Sequence, residues 1–157
     1  MKRITIGNKE YTFEFSIEAS LYDECTTDIM DTFVKGGMTQ SAAENNDLEG
    51  VLDNFLETIA LLPQKTLSIF YAGLLEHHGP EGDNSVKSKQ DAKRILKTYL
   101  EESNKSFRDV FGEMMELMVN DNFFEKIGLN QIADELTKET NKKTKTSNKA
   151  GKDTSEE

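Results

Sequence analysis

The sequence predicts a mainly α protein: an N-terminal β-hairpin, a bundle of about six helices, and a disordered C-terminal tail. Three observations carry this prediction. Period-two alternation is confined to the start of the chain. Apolar residues then recur at helical spacing as far as Leu136. From Thr137 to Glu157 the chain reads TKETNKKTKTSNKAGKDTSEE, with no aliphatic residue larger than Ala150 and no aromatic. Such a segment cannot bury enough apolar surface to offset the entropy of ordering it. The reading is one folded domain over residues 1–136 and a polar tail over 137–157.

In the hairpin, Ile4 and Ile6 alternate with polar neighbours, Gly7-Asn8-Lys9-Glu10 turns the chain, and Tyr11, Phe13 and Phe15 alternate again. Alternation on both sides of a short Gly-Asn loop is a hairpin signal. A two-stranded hairpin is marginal alone, so its apolar face must pack on helices or on another subunit. Ile4, Ile6, Tyr11 and Phe13 are therefore candidate oligomerisation residues.

Ser16 can cap a first helix whose stripe is Ile17, Leu21, Cys25, Ile29 and Phe33, ended by Gly36-Gly37. Met38 to Asn45 carries no stripe and reads as a loop. Asn46 with Glu49 opens a helix bearing Leu48, Val51, Leu52, Phe55, Leu56 and Ile59, the spacing of one buried face. Pro63 then starts a new helix, since proline suits a first turn. Leu67, Ile69, Phe70, Tyr71, Ala72, Leu74 and Leu75 make that helix apolar nearly all round, which predicts a central position. Gly79-Pro80 stops it.

Ser88 with Asp91, and Ser106 with Asp109, mark the next two helix starts. The first points Ala92, Ile95, Leu96, Tyr99 and Leu100 inward. The second carries Phe107, Val110, Phe111, Met114, Met115 and Met118. A short turn holds Phe123, Phe124 and Ile127, and a stub from Leu129 to Leu136 runs into the tail.

Hydrophobic content is 36%, charged content 31% and net charge -10. Six of the 19 basic residues and four of the 29 acidic ones lie in the tail, which leaves the body at -12. This balance argues against nucleic-acid and anionic-membrane binding, both of which need a positive surface. The single Cys25 excludes an internal disulfide and suits a reducing cytoplasm. It lies on an apolar stripe with no histidine near it, so a buried structural thiol is the reading. His77-His78 ends a helix, where adjacent side chains point about 100° apart and cannot easily share one metal. No phosphate loop, dinucleotide fingerprint, zinc-protease motif or serine elbow is present. No enzyme activity, metal or cofactor is expected.

One constellation suggests a ligand. Phe111, Met114, Met115, Met118, Phe123 and Phe124 combine aromatics with methionine, a flexible and polarisable side chain used on surfaces that take varied partners. An ordinary core is one reading. A hydrophobic groove for a helix or an extended segment is the other.

Four stretches carry a family resemblance: KRITIGNKEYTFEFSIEAS at the start, FYAGLLEHHG from Phe70 to Gly79, SKQDAKRILKTYLEE from Ser88, and MMELMVNDNFFEKIG from Met114 to Gly128. Over residues 1–136 the chain resembles the tail assembly chaperones of long-tailed phages and prophages of Gram-positive bacteria. The resemblance implies a viral late protein of the host cytoplasm that coats the tape measure protein, keeps it soluble and recruits tail tube subunits. It also implies absence from the mature virion, and genes that commonly add a longer, frameshifted product. KETNKKTKTSNK is what adenine-rich codons at such a slippery site can encode. A homo-oligomer built through the hairpin edge would suit a long client. Two other functions compete: an acidic DNA-mimic decoy of a host DNA-binding protein, and a minor virion structural protein.

Overall fold

The computed structural model describes residues 1–32 and 48–129. Its elements are β1 (Lys2–Ile6), β2 (Lys9–Phe13), α1 (Ile17–Ser20), α2 (residues 23–32), α3 (Leu48–His78), α4 (Lys89–Ser103), α5 (Phe107–Asn120) and α6 (Phe123–Lys126). The protein is mainly helical with an N-terminal antiparallel hairpin, in agreement with the sequence. No helix among the described residues is long and apolar enough to cross a membrane.

The hairpin turn is tighter than predicted. Ile6 pairs with Lys9, so only Gly7 and Asn8 lie between the strands, and Gly7 takes φ +61°. A two-residue hairpin turn with glycine first in a left-handed conformation matches the right-handed twist of its strands. The register puts Ile4 opposite Tyr11 and Lys2 opposite Phe13 on one face.

That face packs on α3. The Phe13 ring meets Phe70 edge-on at 4.8 Å, and Tyr11 meets His78 at 5.4 Å. Backbone bonds fix the approach: Glu14 N–H donates to the Gly73 carbonyl at 2.8 Å, and Thr12 N–H to His78 Nε2 at 2.9 Å. Gly73 makes the close contact feasible. A Cβ there would stand 3.2 Å from Phe13 and 3.3 Å from Phe15, two fully buried rings. The sequence offered no hint that this mid-helix glycine serves the hairpin.

Two predicted helix boundaries change. The single helix expected from Ser16 is split at Leu21–Tyr22 into α1 and α2. Ser16 does cap α1, accepting from Glu18 N–H. The Tyr22 ring packs edge-on against Tyr71 at 5.3 Å, and its carbonyl accepts from Cys25 N–H at 3.0 Å to start α2. Cys25 and Ile29 are buried as expected, but Ile17 and Leu21 are exposed. Conversely, the two helices expected on either side of Pro63 are one, because Pro63 lies inside α3. Proline removes the N–H that would bond the Ile59 carbonyl. Pro63 and Ile59 are both exposed, where solvent satisfies that carbonyl and the helix can continue.

From Thr66 to Leu75, every residue of α3 except the half-buried Leu67 is buried, which is the central position the sequence predicts. Lys65, 4% exposed, anchors α2 through Asp31 at 2.5 Å and Thr32 at 3.2 Å. Residues 56–60 are exposed all round, contrary to the single buried face expected there.

Both predicted capping pairs form. Ser88 accepts from Asp91 N–H, and Ser106 with Asp109 completes a reciprocal capping box. Left-handed Asn104 follows α4. The chain divides into units Met1–Phe123 and Phe124–Glu157. In the second, Gly128 takes φ +74° and donates to the Glu125 carbonyl at 3.1 Å. The predicted loop at Met38–Asn45, the Asn46 cap, the boundary at residue 136 and the polar tail lie outside the described residues.

Candidate functional site

Half of the aromatic and methionine cluster is core. Met114, Met118 and Phe123 have no exposed surface, and Phe123 packs edge-on against Phe15 at 5.5 Å. Only the half-buried Phe111 and Met115 reach the surface on α5. Phe124, also half-buried, belongs to the second unit. A client cannot touch the buried three unless the fold opens. The same holds for the hairpin residues Ile6 and Phe13, which are buried, while Ile4 and Tyr11 are half-buried.

The histidines serve the hairpin. His77 Nε2 stands 2.7 Å from Glu14 Oε2. Because the Thr12 N–H points at His78 Nε2, that nitrogen must offer its lone pair, and the ring proton sits on Nδ1. Nδ1 faces Asp83 Oδ2 at 3.0 Å. Hydrogen bonds from Ser85 first, and then from His78, hold the Asp83 carboxyl down to about 2. Cys25 is fully buried, and burial pushes its thiol up to about 12, which removes it as a nucleophile. Among the described residues, no three His, Cys, Asp or Glu side chains converge to hold a metal.

An open apolar site lies elsewhere. A cavity of about 370 Å³ is lined by Pro63, Gln64 and Leu67 of α3, by Lys93, Leu96, Lys97 and Leu100 of α4, and by Phe107 at the start of α5. Thr66, fully buried, donates to the Leu62 carbonyl at 2.7 Å and reaches the Phe107 carbonyl at 3.3 Å, which joins α5 to α3 beside it. A polar cluster fixes α4 against α5: Tyr99 donates to Glu113 at 2.8 Å, and Lys105 donates to Tyr99 at 2.7 Å while pairing with Glu113. Those bonds, from Glu113 first and Tyr99 second, raise the Lys105 ammonium above its ordinary value.

The apolar face of α3 extends past the groove. Leu56, Ile59, Pro63 and Leu67 follow one another by three, four and four residues, the spacing of a single helix face. Leu56 is 62% exposed and Ile59 50%. The face spans about 17 Å at ~1.5 Å per residue. The sequence places Leu67, Leu96 and Leu100 on buried faces and Phe107 on the stripe of α5; of these only Leu96 is buried. The signal available was the width of the α4 stripe: Leu100 sits at its edge, next to Lys93 and Lys97 on the helical wheel.

Comparison with family models, with curated proteins and with solved structures finds no match.

Proposed function

We propose that this protein is a phage tail assembly chaperone, as the resemblance of its sequence suggests. In this reading it binds and solubilises the tape measure protein, recruits tail tube subunits, and acts in the host cytoplasm as a homo-oligomer without entering the mature virion. The observation that supports it most is the apolar track from Leu56 to Phe107, left open on a chain of net charge -10. An open apolar track on an otherwise charged molecule marks an interaction site. Mutual repulsion between acidic copies opposes aggregation while the track is empty. A long client helix exposed before assembly needs such a cover, because its apolar face would otherwise aggregate.

Co-expression tests the reading. With this chain present, the tape measure protein of the same phage should move from the pellet to the supernatant and co-purify with it, together with tube protein. An unchanged pellet contradicts the proposal. Capture of a host DNA-binding protein instead would favour the decoy, and stoichiometric presence in purified particles would favour a structural role.

A further inference from the structure

The geometry points to one kind of occupant for the groove between α3 and α4: an amphipathic helix carrying carboxylates beside its apolar seam. This inference rests on the chaperone reading only for the identity of the client, not for the site.

The backbone of the walls selects a helix. The walls are side chains of helices whose backbone groups are bonded internally, so the groove offers no strand edge. An extended chain laid there would bury N–H and C=O groups without partners. A helix brings its own hydrogen bonds and presents only side chains. Pro63 and Leu67 form one wall of the groove, and Leu96, Leu100 and Phe107 the opposite one; the exposed Leu56 and Ile59 extend the α3 face to a ridge about three turns long. A partner helix with apolar residues at the same spacing can interdigitate with that ridge.

The lip selects the charge. The charged residues lining the groove are Lys93 and Lys97, on a protein with ten more acids than bases. Lys93 makes no ion pair among the described residues. Among the described residues Lys97 pairs only with Glu101, at 3.7 Å, with both side chains largely exposed. Such a surface pair is worth little and can be exchanged for a partner's carboxylate. A helix flanked by lysines would instead place like charges against both lip residues. The long-range field of the acidic body is screened beyond about 8 Å at ~0.15 M salt, so the two lip lysines decide locally.

Two synthetic helical peptides of about 15 residues test this, sharing one leucine seam and differing only in glutamate or lysine flanks. Binding to the full chain is read by fluorescence anisotropy. The glutamate peptide should bind at least about tenfold tighter, and the K93E/K97E variant should reverse that order. Circular dichroism checks that the variant stays folded, since both positions are exposed on α4. Equal affinities, a preference for lysine flanks, no binding of either peptide, or indifference to K93E/K97E overturns the inference. If the peptide preference fails while co-expression still solubilises the tape measure protein, this inference falls and the chaperone reading stands. If the preference holds without solubilisation, the groove stands and the chaperone reading falls.

Discussion

Met115 and Met118 are three residues apart on α5, yet their environments differ: Met118 is fully buried, and Met115 is half-buried. A carboxylate at Met118 would be cut off from water. Met118→Glu should therefore cost about 3 kcal/mol or more and unfold the domain, whereas Met115→Glu should stay within about 1 kcal/mol. Urea unfolding followed by circular dichroism separates the two, and equal losses would contradict this burial. Spacing alone could not tell these methionines apart, because a stripe of alternating large apolar residues fits either a core or a groove. Cys25 was legible for the opposite reason. Its position on the apolar stripe, far from any histidine, already implies the buried structural thiol that the structure holds. Gly73 was not legible, since what it accommodates is two rings sixty residues distant.

At the scale of elements, start signals were read well and interruptions poorly. The Ser88 and Ser106 caps are local chemistry, written within four residues, and both form. Pro63 as a helix start and the unbroken helix after Ser16 both differ from the structure, for opposite reasons. Tyr22 against Tyr71 breaks one helix, while exposure lets the other pass through proline. The end of α3 is closed by the loop after it, where Asp83 N–H donates to the His77 carbonyl at 2.9 Å and Val86 N–H to the His78 carbonyl at 2.8 Å. Asp83 organises this loop through Ser85 and His78. Its carboxyl is lowered from 3.8 to about 2. A depressed carboxylate stabilises the fold above its unfolded value and loses that contribution as pH falls through its folded one. The wild-type protein should therefore lose stability between about pH 4 and 2, and Asp83→Asn should lose less across that interval. Thermal melts over this range check it, and parallel curves for the two proteins would contradict it.

For the whole molecule, the sequence conveyed hairpin, helices and acidity, but not where apolar surface would stay open. Leu67, Leu96 and Leu100 sit at positions that fit a core as well as a groove. The track is open because residues 56–60 of α3 receive no cover from any described element, which no periodicity reveals. The same openness makes the account testable. Hydrogen exchange of the chain, alone and bound to its client, locates the footprint. The account predicts new protection from Leu56 to Leu67 and from Lys93 to Leu100, with little change in α5 from Phe111 to Met118. Protection centred on Phe111 to Met118 or on the hairpin, with the groove unchanged, would contradict it.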